Sequence, residues 1–465
     1  MTHDLIVIGA GPAGMAAATM GATLGLQTVL LDEQPQSGGQ IYRNVATVHP
    51  AVARLLGPDY LHGASLVEAM ISAGVDVRHD ALAWDVSRDL KVTAFAKGTA
   101  LQFKAPQIIA ASGALERASP IPGWTLPGVM NVGAAQIALK SSGSVPSGRT
   151  ILAGGGPLLY LVACQLLDAG ANIAAIVETS SASNRIAALK HLPRALGAVE
   201  YLIKGVKMMA RLRRAGVPWF KNASALSVTG NVQAEGLSFD VAGTRHTIAA
   251  DLVLLHHGVI PNTQISRLMR VDHVWSDAQR AFNVVCDAYG QTSMPGFRIA
   301  GDGAAIGGAH AAQNSGALAA LGAAVELGKL SRSDFDRYVI PYHRARDRDL
   351  RVRPFLDVLY SPPADITDPV DEAIVCRCEE VTAGRIREMA SLGCQGPNQT
   401  KFFSRCGMGP CQGRVCGGVV TQILAKELGK TPGEIGAYRI RAPLKPVPVA
   451  AFSGLAESSD ESIWH

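Results

Sequence analysis

The densest chemistry in the chain is a group of cysteines toward its C-terminal end. Six of the eight cysteines fall between Cys376 and Cys416. Two stand as Cys376-Arg377-Cys378, and two more as Cys406 and Cys411 around Gly407-Met408-Gly409-Pro410. A [2Fe-2S] cluster takes four thiolates, two on each iron, and a C-x-C loop lets two of them converge from one short stretch. Structural zinc is the rival, but its usual knuckles space their cysteines by two to four residues, which C-x-C fits less well. Disulfides come third, because clustered cysteines in a reducing compartment point to metal ligands. Cys376, Cys378, Cys406 and Cys411 are therefore the candidate ligands. Cys416 reads as a packed helix residue, with alternative ligand as the second reading, and Cys394 lies outside the pattern. Cys164 and Cys286 have no cysteine neighbour and read as small core residues.

The second chemical feature is Gly9-Ala10-Gly11-Pro12-Ala13-Gly14, a complete GxGxxG. In such a turn the first glycine permits a tight bend, the second lets backbone reach a pyrophosphate, and the third lets helix and strand pack closely. The helix that follows offers free N–H groups to the phosphates. Asp32, at the end of the next apolar run, is the candidate ribose acceptor, and Glu33 is the alternative. A similar turn, Gly154-Gly155-Gly156-Pro157-Leu158-Leu159, has lost its third glycine to Leu159, although Glu178 still ends its second strand. The first reading is a domain that keeps the architecture as a scaffold, with a working NAD(P)H site, or a site for a different nucleotide, as the alternatives.

The elements that hold these residues follow from hydrophobic patterning. Leu5–Ile8, an Ala-rich helix from Met15 and Thr28–Leu31 make one βαβ unit, and a second opens at Thr150. The expected fold class is α/β, with two Rossmann-like domains and a small helical cysteine module. The expected domains are 1–117 with 284–330, an inserted domain at 118–283, a connector at 331–370 with helix around Phe335–Arg346, the cysteine module at 371–430 and an extended tail at 431–465. In the module, Thr382 should cap a helix carrying Ile386 and Met389, and Arg414–Leu428 should form another. The formal charge is +5 over 465 residues, with no Lys/Arg block to serve a nucleic acid. No apolar run is long enough to span a membrane. The N-terminus opens directly on a strand with no basic leader, so the expected location is cytoplasmic, with membrane association only through partners.

Several segments resemble the two-dinucleotide-fold flavoproteins, a family that includes thioredoxin reductase. Gly38-Gly39-Gln40 resembles the second flavin-contacting loop of that family. Ala111-Ser112-Gly113-Ala114 resembles its T-G-A turn, and Gly258 to Thr263 its G-x-x-P-N-T motif. Ala300-Gly301-Asp302 resembles the A-G-D motif whose Asp holds the ribityl and pyrophosphate part of FAD. This resemblance covers about residues 1–330 and implies FAD at Gly9, Gly11, Pro12, Ala13, Gly14, Asp32, Glu33, Gly39, Gln40, Ala114, Gly301 and Asp302. The redox-active C-x-x-C of the reductases is missing. His310, just beyond Asp302, is a weak candidate for a residue facing the flavin, with helix packing its alternative.

The cysteine module resembles bacterioferritin-associated ferredoxin, in the version fused to amine-oxidising flavoproteins. Over nearly the whole chain the order of modules resembles one group of proteins. It comprises the larger, or A, subunits of the opine (octopine and nopaline) oxidases, the B subunit of hydrogen cyanide synthase and the α subunit of D-hydroxyproline dehydrogenase. The resemblance implies an electron-transfer subunit whose partner β subunit, an FAD amine-oxidase-like protein, oxidises a C–N bond. It further implies a small ferredoxin-like γ subunit, FMN at a subunit interface and a downstream electron acceptor, while Leu159 in place of the third glycine argues against NAD(P). In this reading the proline-bearing segment Ala442–Phe452 is a candidate arm for the partner. A stand-alone NAD(P)H-dependent reductase and a scaffold subunit with inert cofactors are the two competing classes.

Overall fold

The computed structural model describes residues 3–453. Its first sheet is parallel throughout, in the order Phe297–Ile299, Gln107–Ala110, Leu5–Ile8, Thr28–Leu31 and Asp76–Arg78. Leu5–Ile8 and Thr28–Leu31 are buried at every position, as continuous apolar runs covered on both faces should be. The second sheet repeats the design with Trp219–Lys221, Ile173–Glu178, Thr150–Gly154, Leu252–His256 and Val129–Asn131. Each is joined by a three-stranded antiparallel sheet, Leu82–Lys104 in one case and Ser224–Ala249 in the other. The α/β class with two Rossmann-like sheets is thus what the chain forms.

The helix Pro12–Thr23 lies against Ala309–Glu326, and their contact depends on small residues. A Cβ on Gly316 would stand 1.9 Å from the carbonyl oxygen of Ala13. The connector is more ordered than its charged composition suggests. Arg332–Asp349 is one helix that contains Pro341, and its Phe335 and Val339 pack on Leu318 and Leu321. A second helix, Arg353–Leu359, follows.

The C-terminal module pairs Ile374–Cys376 with Val381–Thr382 and packs the helices Ala383–Ser391, Pro397–Ser404 and Gly417–Glu427. Thr382 caps the first of them by accepting from Arg385 N, and Ile386 and Met389 are buried beneath it. The later helix begins at Gly417 rather than Arg414, because the preceding residues are used in turns around the cysteines. Two features of the expected tail differ from an extended strand. Thr431 and Glu434 form a reciprocal cap on the turn Pro432–Ile435, and Tyr438 and Ile440 enter the core.

The candidate arm is likewise held by its own chain. Leu444 N donates to Trp84 O at 2.7 Å, Gln412 Nε2 to Pro443 O at 2.6 Å, and Arg414 to Leu444 O at 2.7 Å. Phe452 packs on Trp84 with ring centroids 5.1 Å apart. Residues 454–465 lie outside the described residues. No helix among the described residues is long and apolar enough to cross a membrane.

Candidate functional site: a dinucleotide cradle and a cysteine pocket

The first glycine turn has the geometry its residue types require. A Cβ on Gly14 would lie 1.7 Å from Gly9 O, so only glycine allows the helix to start that close to the strand. Gly11 is the opposite case. A Cβ there would meet nothing nearer than Gly39 Cα at 3.9 Å, which leaves open space in front of the helix N-terminus. That space fits a pyrophosphate, and Gly39 brings the second flavin-type loop to its edge.

Asp32 and Glu33 have separate roles. Asp32 is buried, and its carboxylate accepts from Ala10 N at 2.5 Å and from Gln34 N at 2.7 Å. It fixes the turn to the end of its strand, and burial raises its carboxyl above the ordinary value against the opposing pull of those two bonds. Glu33 is exposed and pairs with Lys445 of the C-terminal segment. Asp302 uses one oxygen to accept from Gly307 N at 2.8 Å and Gly308 N at 3.0 Å. Its other oxygen has no partner among the described residues. Gly301 lies against Ala13, so both glycine segments border one cradle.

The two connecting motifs meet directly. Ala114 pairs with Pro261 in antiparallel register, Ser112 Oγ donates to Asn262 O at 2.8 Å, and Asn262 N donates to Gly113 O at 3.0 Å. His310 is exposed at the start of the helix Ala309–Glu326, with the His62 ring 5.6 Å away. Sequence reasoning missed Lys140. This buried ammonium reaches from the helix Val132–Ser142 to donate to Gln40 O at 3.0 Å and Gln136 Oε1 at 2.9 Å. Burial among neutral acceptors, with Arg43 nearby, lowers it to about 7.

The second glycine turn is built differently. Leu159 is fully buried among Leu152, Tyr160 and Val162. Glu178 accepts from Trp219 Nε1 at 2.9 Å, a bond that commits the acid at the end of the second strand to the protein itself. Tyr360 from the connector lies 3.3 Å from where a Cβ on Gly155 would stand. His256, at the end of the neighbouring strand, faces Gly156 and is 2.5 Å from Glu116 through Nδ1.

The cysteine pocket divides into two groups. The thiols of Cys376, Cys406 and Cys416 are buried and lie within 4.8 Å of one another. Cys378 is exposed, Cys411 is half-buried, and the two are within hydrogen-bonding reach of each other. The thiols of Cys406 and Cys416 hydrogen-bond to Cys376 and, with Gly407 N at 3.4 Å, hold its thiol down to about 2, so the trio already shelters one thiolate. This donor set fits a thiolate-ligated metal centre. It also brings in Cys416, which sequence reasoning had treated first as packing. The residue stands at the start of the helix Gly417–Glu427 without a side-chain capping bond, and its sulfur is part of the buried trio. The even spacing of Cys406, Cys411 and Cys416 was the signal available in the sequence.

A family model, pyridine nucleotide-disulphide oxidoreductase, matches residues 3–316. The chain belongs to that family. A second model, the sarcosine oxidase A3 domain, matches residues 371–455. The chain is 41% identical to the A subunit of opine oxidase from Rhizobium meliloti, over 98% of this chain and 88% of that one. It is 33% identical to the hydrogen cyanide synthase subunit HcnB of Pseudomonas protegens, over 97% and 98%. Among solved structures, L-proline dehydrogenase from P. horikoshii superposes with a TM-score of 0.68 at 17% identity, covering 97% of this chain and 79% of that one. Lactococcus lactis thioredoxin reductase gives 0.51 at 19% identity, covering 70% and 100%. The protein is an oxidoreductase subunit of the opine oxidase A group, and a flavoprotein whose cysteine pocket is compatible with an iron–sulfur centre.

Proposed function

We propose that this chain is the electron-transfer subunit of a hetero-oligomeric FAD-dependent dehydrogenase or oxidase that acts on the C–N bond of an opine, imino acid or amino acid. Substrate oxidation belongs to a partner β subunit that is itself amine-oxidase-like. The main support is one observation. A single hydrophobic core contains Ile8, Val29, Ile108 and Phe297 of the first sheet together with Cys376, Cys406 and Cys416. The cradle and the pocket are therefore coupled through packed protein with no flexible linker between them.

FAD accepts an electron pair and releases single electrons, and a [2Fe-2S] cluster carries one at a time. The chain's own residues hold, orient and enclose these groups. Gly11 and the N-terminus of Pro12–Thr23 would receive the pyrophosphate, and Asp302 would offer its free oxygen to cofactor hydroxyls. Asp32 locks the turn, which makes Glu33 the better-placed ribose acceptor. Cys376 and Cys406 would serve one iron and Cys378 and Cys411 the other. FMN at the subunit interface and a small ferredoxin-like third component complete the proposed assembly, and its location is cytoplasmic. NAD(P) has no part in the proposal, because Glu178 and Leu159 are both committed to the interior of the second domain.

The test is reconstitution. The chain alone should contain FAD, about two irons and two labile sulfides, and it should oxidise no amine. Co-expression with an amine-oxidase-like partner should give dye reduction with an opine or imino acid as donor. One zinc and no labile sulfide, or rapid reduction of the lone chain by NADPH, would overturn the proposal.

A further inference from the structure

A cleft beside the cysteine module is lined by four arginines and, among the described residues, by no carboxylate. Arg117, Arg267 and Arg280 come from the flavoprotein part, and Arg414 comes from the turn that precedes Cys416. The acceptors of these guanidiniums are neutral. Arg117 donates to the carbonyl oxygens of His257, Gln279 and Arg280, at 2.6 to 3.0 Å. Arg267 donates from Nε to Thr263 Oγ1 at 3.0 Å and stacks on Phe282, 4.6 Å from the ring centroid. Arg414 donates to the carbonyl oxygens of Cys411 and Leu444, and its buried Nε has no partner. Gln264 lines the same cleft, is 8% exposed, and leaves a buried Oε1 unpartnered.

Arg117 is buried, Arg267 and Arg414 are half-buried and Arg280 is exposed at the rim, so like charges crowd one wall with no carboxylate among the lining residues. Burial draws Arg117 and Arg267 down to about 10 each, and the charge of Arg280 adds to the effect at Arg117. Arg414 is lowered by burial against the opposing pull of Cys411 and of Glu33, the latter already paired with Lys445. A guanidinium fork is matched to carboxylate or phosphate oxygens, and such charge-assisted bonds are strong where water is excluded. The remaining walls carry apolar Ile260, Pro261 and Val419 together with the hydroxyl groups of Thr263, Thr421 and Tyr438.

We infer that this cleft binds a small molecule carrying an oxyanion, carboxylate or phosphate, on an apolar body. Arg267 and Arg414 grip the anion, Arg280 closes the rim, and Gln264 Oε1 accepts a donor of the ligand. Gly418 at the cleft wall, where a Cβ would meet nothing within 4 Å, leaves room for the ligand against the helix Gly417–Glu427.

The experiment is calorimetric titration of the FAD-loaded, cluster-bearing protein with inorganic phosphate and, separately, with glutarate at low ionic strength. Saturable binding of either ion is expected, and the preferred ion identifies the source as a phosphate ester or an organic acid. Arg267→Gln and Arg280→Gln should each weaken binding by about tenfold, the loss expected for one charge-assisted contact. Arg332→Gln, on a distant exposed helix, should leave it unchanged. Unchanged flavin and iron content in the variants separates a lost ligand contact from a lost fold. Binding of neither ion, or binding that survives both Arg267→Gln and Arg280→Gln, would overturn the inference.

Discussion

Lys140 Nζ lies 3.0 Å from the carbonyl oxygen of Gln40 and so ties a helix of the second domain to the flavin-type loop of the first. The ammonium is 6% exposed and has only neutral acceptors, so its charge is costly at that position.

This gives a pH prediction with a definite sign. Folding lowers Lys140 from 10.5 to about 7. The unfolded chain therefore binds more protons between those values, and stability should rise as pH climbs from about 7 toward 10.5. The contribution is lost as pH falls through the folded value. Lys140→Met should flatten that rise, shifting Tm by a few degrees at pH 9.5 relative to pH 6.5. Melting curves of both proteins across that range check it, and parallel curves would show that Lys140 does not titrate as described.

The cysteine series should separate ligands from packing. Cys378→Ser and Cys411→Ser should each lose iron and labile sulfide, because each removes one of the two outer thiols and cluster binding is coupled to local folding. Cys416→Ser should keep about two irons but change the absorption and EPR spectra, since its sulfur lies within 4.8 Å of those of Cys376 and Cys406. A spectrum identical to wild type would restrict Cys416 to its place in the helix.

The cradle and the pocket were not equally legible in the sequence. The first glycine turn could be read because strand, turn, helix and acid are local and ordered, and the packing limit at Gly14 is set by backbone alone. Which acid does what was not legible. The bonds from Ala10 N and Gln34 N to Asp32 depend on loop closure, and the Glu33–Lys445 pair joins residues at opposite ends of the chain. The approach of Cys416 to Cys376 was not legible for a similar reason, since it depends on a hairpin and a helix that no short motif specifies. The tail read as extended because prolines favour that backbone, and its anchor at Trp84 O was not legible because that acceptor is far away in sequence.

Cofactor loss should follow from two substitutions of different kinds. Gly11→Val fills the open space in front of the helix N-terminus and should give nearly colourless protein with its fold intact by circular dichroism. Asp302→Asn should keep more flavin than Asp302→Ala. The amide oxygen can still accept from Gly307 and Gly308, whereas alanine leaves those N–H groups without their acceptor, a loss of about 1–3 kcal/mol. Flavin content after gel filtration ranks the three. Full retention in all of them would place the flavin elsewhere.

The second domain should resist repair at a single position. Leu159→Gly restores the glycine pattern, yet Glu178 remains bonded to Trp219 and Tyr360 still covers Gly155. Neither wild type nor this variant should be bleached by a stoichiometric addition of NADH or NADPH within seconds. The leucine side chain is fully buried, so the variant should also lose about 2–5 kcal/mol of stability, measured by urea unfolding. Fast bleaching of Leu159→Gly would show that the leucine alone had closed the site.

Removing the chain from Ala442 onward provides the last test. The segment gives Arg414 and Gln412 their carbonyl acceptors, supplies Lys445 to Glu33 and covers Trp84 with Phe452. Its first effect should therefore fall on this chain rather than on a partner's docking face. The truncated protein should melt several degrees lower and lose iron sooner in a chelator challenge, because Arg414 lies between two of the clustered cysteines and would lose an anchor. Tryptophan fluorescence should shift to the red as Trp84 is uncovered. Flavin content should fall less, since the tail's contact near the cradle is the exposed ion pair at Glu33, and surface pairs contribute about 0–1 kcal/mol. Intact melting temperature and chelator resistance, with only partner affinity reduced, would return the segment to the role of a docking arm.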